Sequence, residues 1–306
     1  MRTLITGASG LLGLNMALYL ANQHEVIGVV HQNVLKGVPF RVLQVDLANP
    51  QNIERLIMNT QPDVVVHCAA MANLDVCERQ PELAKRVNAE LPGRLAQACR
   101  AGGARLVHIS TDAVFDGTKG NYRETDPVNP IGVYARYKLM GEEAVLAADP
   151  DALIARVNFY GWSLSGKRSL AEFFFNALSS GQTVRGFTDI FFCPLHVNDL
   201  IRILLILLEK NASGIYHVVS SECLSKYEFG RRLAEQFHFD SSLIQPSSWR
   251  EAGLQSARSP NLTLNVDKLT ALLGKVPPPQ APMMAAYYQL YLQGYPQQLA
   301  SYRAET

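Results

Sequence analysis

Tyr134 and Lys138 stand four residues apart in the run Tyr134-Ala-Arg-Tyr-Lys138. On a helix that spacing sends both side chains from one face, on adjacent turns. A phenol at its ordinary pKa of about 10 is a poor acid–base catalyst near neutrality. An ammonium beside it stabilises the phenolate and lowers that value, so proton transfer is the chemistry such a pair could do. Tyr137 competes for the role, but it lies roughly 60° round the helix from Tyr134 and directly precedes Lys138. The helical pairing therefore goes to Tyr134. Aromatic–lysine pairs of this kind are common on exposed helix faces, so the pair needs a second feature to mean anything.

That feature is Gly7-Ala-Ser-Gly10-Leu-Leu-Gly13, which follows the apolar run Thr3–Ile5 and opens a helical pattern. Glycine permits the sharp turn, lets backbone amides approach phosphate oxygens, and allows the helix to pack on the strand. The helix N-terminus offers oriented N–H donors and partial positive charge to a pyrophosphate. A dinucleotide coenzyme is the expected ligand. After the second strand come His31-Gln32-Asn33, where an NAD-specific site would place Asp or Glu for the ribose hydroxyls. With no acid there, a 2′-phosphate meets no repulsion and His31 or Lys36 stands near it, so NADP is favoured over NAD; a solvated loop role for His31 is the competing reading. Asp46-Leu47 closes the third strand, where Asp46 either accepts from the adenine amino group or caps the next helix.

Ser110-Thr111-Asp112 follows the fifth strand, at the carboxyl edge where open α/β sheets bind ligands. A hydroxyl there can polarise a substrate carbonyl. Ser110 and Thr111 compete for that part, and a cap or turn role is the alternative. No paired histidine spacing supports a metal site. Ser9, between Gly7 and Gly10, has the wrong spacing for a nucleophile elbow.

The elements that must position these residues alternate. Strand-like runs fall at Thr3–Ile5, Val26–Val30, Phe40–Val45, Val64–His67, Arg105–Ile109 and Leu153–Val157. Helical patterns lie between them at Leu11–Asn22, Gln51–Asn59, Pro81–Arg100 and Val133–Ala148. Near-continuous Val/Ile/Leu strands separated by helices imply an α/β fold, a doubly wound parallel sheet of the Rossmann type. After residue 158 the rhythm changes to Ser/Gly-rich loops and an aromatic cluster. The helix Val197–Glu209 and the strand Gly214–Val218 suggest that the chain rejoins the large sheet and leaves it again. Residues 1–158, with a return at about 195–220, are the expected coenzyme domain. Residues 159–194 and 221–306 are the expected smaller, discontinuous substrate lobe, ending in a Tyr-rich helix at Met283–Leu292.

The 306 residues are 48% hydrophobic with 28 basic against 27 acidic side chains, which leaves no basic stripe for nucleic acid. The longest apolar stretch, Leu200–Leu208, is broken by Arg202 and too short to span a bilayer. The opening residues lack the features of a signal peptide. Five scattered cysteines without a C-x-x-C pair argue against a disulfide framework and a zinc site. A reducing, cytoplasmic setting without membrane attachment is expected.

The residues quoted so far resemble the extended short-chain dehydrogenase/reductase superfamily: the T-G-A-S-G-L-L-G turn, Asp46-Leu47, His67-Cys-Ala-Ala70 and Tyr134-x-x-x-Lys138. The runs 77–99, 110–117 (STDAVFDG), 124–145 and 258–269 are similar to its dTDP-4-dehydrorhamnose reductase branch. The resemblance implies a reductase of a nucleotide-linked 4-keto-6-deoxy sugar. In it Thr111 would orient the C4 carbonyl, Tyr134 would protonate its oxygen, and Lys138 would hold the coenzyme ribose. Gly7, Ser9, Gly10, Leu11, Leu12 and Gly13 would take the pyrophosphate, with His31, Asp46, Leu47, Ala69, Ala70, Tyr134 and Lys138 along the rest of the coenzyme. Met71, Thr111, Asp112, Phe115, Tyr134, Asn158 and Trp162 would face the sugar. A homodimer is the assembly the resemblance leaves open. Arg156 stands four residues before Tyr160 where the branch usually has five, and 157–169 and 189–193 depart from its pattern, which puts the particular sugar in doubt. An epimerase or dehydratase of the same superfamily, or a non-catalytic NADP-binding subunit like the methionine adenosyltransferase β subunit, are the competing implications.

Overall fold

A computed structural model describes residues 1–251 and 259–304. The first half alternates: β1 (Arg2–Thr6), α1 (Leu11–Leu20), β2 (Glu25–Val30), β3 (Arg41–Gln44), α2 (Pro50–Thr60), β4 (Val64–His67), α3 (Leu74–Arg79), α4 (Pro81–Lys85), α5 (Leu91–Ala101), β5 (Arg105–Thr111), α6 (Gly132–Ala148) and β6 (Leu153–Val157). Then follow β7 (Phe159–Tyr160), α7 (Leu170–Ser179), β8 (Val184–Phe187), β9 (Phe191–Phe192), β10 (Leu195–His196), α8 (Val197–Glu209) and β11 (Gly214–Val218). Last come β12 (Leu224–Ser225), α9 (Lys226–Phe237), β13 (Ile244–Ser247), α10 (Asp267–Leu273), α11 (Gln280–Leu292) and α12 (Tyr295–Ser301).

Seven strands form one parallel sheet in the order β3-β2-β1-β4-β5-β6-β11. The order reverses between β1 and β4, and the carboxyl edge at that reversal is where an open α/β sheet binds its ligand. This is the Rossmann-type fold that the alternating pattern implies, and β11 rejoins the sheet beside β6, Gly214 opposite Leu153. Buried apolar residues cover both faces. Leu4, Val65, Leu106 and Ile154 pack under α2 and α5. On the other side Ile5, Val66, Val107 and Ala155 share one continuous cluster with α1, α8 and the aromatic residues of α9 and α11.

Three features differ from the sequence reading. The single helix expected over Pro81–Arg100 is interrupted by a π-helical turn at Arg86–Glu90. Pro92 follows in the first turn of α5 and has no N–H to continue the ladder, so the backbone widens ahead of it. Second, Cys193 and Cys223 form a disulfide, against the expectation of five free thiols. Antiparallel pairing of β9 with β12 sets Phe192 opposite Leu224, and the same register brings the next pair, Cys193 and Cys223, together. Sequence spacing alone held no hint of that pairing. Third, α3, α7, α9, α10 and α12 add helices where no pattern was assigned. Arg258, the first residue of the 258–269 motif, lies outside the described residues. Among the described residues no helix is long and apolar enough to cross a membrane.

Candidate active site

The turn between β1 and α1 is built around close backbone approach. Gly7 has φ of 67°, a left-handed conformation that side chains resist, and a Cβ there would sit 2.8 Å from the Ala69 nitrogen. A Cβ at Gly13 would run into the Gly7 carbonyl oxygen. Gly10 donates its N–H back to Gly7 O at 2.8 Å, and Leu14 donates to Gly10 O at 3.0 Å. The cradle is therefore one that only glycines allow, and α1 begins directly behind it at Leu11. Leu12 and Gly13 are buried in the helix–sheet packing while Ser9, Gly10 and Leu11 keep partial exposure.

Beside this turn lies a cavity of about 340 Å³ lined by Gly7, Val30, His31, Gln32, Asp46, Leu47, Ala69, Ala70 and Met71, with Val87 and Leu91 behind. Every residue expected along the adenosine half of a coenzyme thus meets in one space. Met71, expected on the sugar side, lines this cavity instead. Asn88 explains its placement: the Asn88 amide donates to Met71 O at 2.9 Å and accepts from Met71 N at 2.9 Å. Asn88 sits within the π-helical turn. Asp46 accepts from Ala48 N at 2.9 Å, a local turn contact, and His31 Nε2 is 3.9 Å from its carboxylate.

The proton-handling residues come from β5 and α6. Thr111 ends β5, accepts from Ala113 N at 3.2 Å and bonds to Asp112 Oδ1 at 3.1 Å. Its hydroxyl also acts on the Tyr134 phenol, drawing its pKa down. Ser110, the competing hydroxyl, donates instead to buried Glu142. Thr111 is therefore the hydroxyl on the phenol. The expectation that Lys138 depresses the Tyr134 pKa is not met: burial pushes the phenol up to about 12, with the Thr111 bond opposing and the charge of Asp112 assisting. Lys138 points deeper. Its Nζ donates to Ile109 O at 2.8 Å and lies 3.3 Å from His108 Nε2. Burial lowers Lys138 to about 8, with Glu142 pulling it back up.

Behind Lys138 runs a buried polar row that the sequence reading missed. Glu142, one further turn along the face of Tyr134 and Lys138, forms a two-pronged ion pair with Arg156 at 2.7 and 3.0 Å. In the sheet register Thr6 lies opposite His67, His67 opposite His108, Ser110 opposite Arg156, and Arg156 opposite His217. Thr6 Oγ1 is 2.7 Å from His67 Nδ1, and the His67 and His108 rings stack at 5.3 Å. Burial, with the charge of Lys138 second, drives His67 down to about 3 and His108 well below its usual value. The available signal was Glu142, the third member of the Tyr134, Lys138 spacing.

On the sugar side Asn158 donates to Asp112 Oδ2 at 2.6 Å. Burial raises Asp112 to about 6 despite the bonds from Asn158 and Thr111 and the charge of Lys226. Two residues expected at the sugar lie in packed surroundings. Phe115 is fully buried, stacked on Tyr122 at 4.2 Å with the Arg156 guanidinium over its other surroundings at 5.2 Å. Trp162 is 3% exposed, stacked on Tyr287 at 4.2 Å, and its indole N–H donates to Tyr287 O.

Comparison with known proteins agrees with this arrangement. Residues 1–292 match the family model described as the RmlD substrate binding domain. A probable low-salt glycan biosynthesis reductase of Haloferax volcanii is 35% identical, over 90% of this chain and 93% of that one. Methionine adenosyltransferase 2 subunit beta of Bos taurus is 33% identical, over 89% and 82%. The crystal structure of a hypothetical dTDP-4-dehydrorhamnose reductase from Sulfolobus tokodaii superposes with a TM-score of 0.80 at 33% identity, covering 90% and 96%. The chain belongs to the RmlD family, the dTDP-4-dehydrorhamnose reductase-like branch of the extended short-chain dehydrogenases/reductases.

Proposed function

We propose that the chain is an NAD(P)H-dependent reductase of a nucleotide-linked 4-keto-6-deoxy sugar. The observation that carries the reading is the glycine cradle and its 340 Å³ cavity, with Thr111 at the carboxyl end of β5 and Tyr134 on α6 acting on one another. The cradle and cavity fit a dinucleotide: the turn from Gly7 to Gly13 would hold its pyrophosphate, Asp46 and Leu47 its adenine, and Lys138 its nicotinamide ribose. When bound, the nicotinamide supplies the hydride. Thr111 donates to the sugar carbonyl oxygen and fixes its direction. Tyr134 gives its proton to that oxygen as negative charge develops there. A phenol held at about 12 is protonated at working pH and so holds the proton to be given, but as a weaker acid than an ordinary phenol it must rely on the charge developing on the sugar oxygen to draw that proton away. Lys138 supplies positive charge beneath the phenol and the ribose without being solvated itself.

NADP is the preferred coenzyme because the cavity wall after β2 offers His31 and Gln32 and no acid. Asn158 and Asp112 border the sugar. Residues 1–158, with the return at about 195–220, hold the coenzyme, and the remainder grips the nucleotide. The near-neutral charge speaks for an enzyme that acts on small nucleotide-linked substrates without nucleic acid, and a cytoplasmic setting is proposed with the Cys193–Cys223 disulfide standing against it. Consumption of NADPH across a panel of nucleotide-linked 4-keto sugars tests the reading. Turnover with one member is expected. Tightly held NAD that is recycled and never consumed points to an epimerase or dehydratase.

A second reading has its own support in the methionine adenosyltransferase subunit relative. A regulatory subunit would bind NADPH, turn over no sugar, and co-purify with a partner. The same panel, run beside a gel filtration of the native protein, separates the two.

A further inference from the structure

The loop between β2 and β3 carries His31, which lines the coenzyme cavity of the proposed reading, and Lys36, and between residues 31 and 40 it holds a bridge at Leu35. That bridge comes from the far end of the chain. Leu35 pairs antiparallel with Arg303. Lys36 donates its backbone N–H to Tyr302 O at 2.8 Å, and Ala304 donates to Val34 O at 3.3 Å. The strap is itself anchored. Leu299 of α12 is fully buried in the same apolar cluster as Leu35. Tyr295, also of α12, donates its hydroxyl to Asn15 Oδ1 at 2.9 Å, on the helix that opens behind the glycine turn. All of these strap residues lie beyond residue 292, where the match to the family model stops.

We propose that residues 293–304 are a coenzyme-selectivity clamp, which holds the His31–Lys36 loop in the form that receives the 2′-phosphate of NADP. The inference rests on the coenzyme reading above and adds to it a positioning element outside the shared family core. The glycine turn and the adenine cavity meet parts that NADH and NADPH have in common. Only the ribose 2′ position differs, and it falls at the end of β2, where the loop begins. Fixing the Lys36 backbone fixes the origin of its side chain. A loop that visited the receiving form in one molecule of ten would bind the phosphate about tenfold more weakly.

The test compares the full chain with one ending after Ser301, which keeps α12 and Leu299 and removes only the strap. Dissociation constants for NADPH and NADH are measured by quenching of protein fluorescence, and amide hydrogen exchange is followed at Lys36. The expected result is NADPH binding weakened about tenfold, NADH binding changed by less than about twofold, and loss of protection at Lys36. Equal weakening of both coenzymes, or no change in either, overturns the clamp. Should the shortened chain fail to fold, Ala304→Pro removes the one N–H donated to Val34 and is read in the same way. A full chain that binds neither coenzyme sinks the coenzyme reading itself, whereas selective binding unaffected by the strap sinks the clamp alone.

Discussion

Two buried regions of the molecule are packed equally well and built from opposite materials. Under the carboxyl ends of β4, β5 and β6, the space beside α6 is filled by His67, His108, Ser110, Lys138, Glu142 and Arg156, all nearly free of solvent. Among α7, α9 and α11, Trp162, Phe174, Phe237 and Tyr287 pack together instead, with edge-to-face contacts such as Phe237 on Tyr287 at 5.7 Å. Aromatic packing stabilises by removing apolar area from water and needs few partners. Burying charge is expensive unless each charge is paired, so the polar row is kept for what it does to its neighbours. Its one ammonium is Lys138, which donates to Ile109 O beside the His108 ring. The contrast predicts that damage to the first region reaches catalysis and pH response as well as stability, and damage to the second stability alone.

The largest effect should follow from Tyr134→Phe, which removes the proton donor and leaves the ring. Turnover falls about 10²- to 10⁴-fold while NADPH affinity stays within about twofold, since the ring and the other coenzyme contacts remain. Near-normal turnover would refute the assignment. Next comes Arg156→Met. It strands Glu142 without its guanidinium in a dry site, at a cost of about 3–5 kcal/mol in denaturant unfolding. Replacing both partners with apolar residues should restore much of that loss, because no uncompensated charge then remains. A single variant as stable as the parent would show that the pair is more solvated than its burial implies.

How much of this was legible follows the same divide. β4, β6, α8 and β11 match the expected runs residue for residue, because each is a short apolar block bounded by turn formers. The glycine turn and the Tyr134, Lys138 spacing are local in sequence, so period and neighbours sufficed. Trp162 and Phe115 were assigned to the sugar by resemblance. Their burial depends on Tyr287 and Tyr122, and no local pattern encodes contacts of such sequence separation. The α7 and α9 helices were legible and passed over: Ser169 with Glu172, and Ser225 with Glu228, are capping boxes that the structure forms in full. The disulfide and the strap on Lys36 were not legible, since both are set by strand register between distant segments.

The polar row also predicts a pH response. His67 and His217 are held at about 3, and His108 well below the ordinary 6.5, in each case chiefly by burial. Their folded values lie below their unfolded ones, so the unfolded chain binds more protons as pH drops below 6.5. Stability is complete above that value and falls as the solution is acidified toward 3, each histidine adding up to about 1.4 kcal/mol per pH unit. Asp112, raised to about 6, works the other way between 6 and its unfolded value of 3.8, and offsets part of the loss. Urea midpoints at pH 7, 6 and 5 should decline, and His67→Gln should flatten the slope. A midpoint indifferent to pH across that range would mean that the rings are charged in the folded protein.

The smallest effect, and the sharpest discriminator between the two regions, is Trp162→Phe. The smaller ring leaves a gap against Phe175 and Tyr291 and deprives the Tyr287 carbonyl of its indole donor. Together these cost about 1–3 kcal/mol, read as a lowered urea midpoint. Because the ring faces core, the KM for the sugar and kcat should both stay within about twofold of the parent once assayed below the unfolding transition. A selective rise in the sugar KM with an unchanged midpoint would reverse the placement: Trp162 would then belong to the cleft, and the aromatic cluster would be a binding surface that also happens to be well packed.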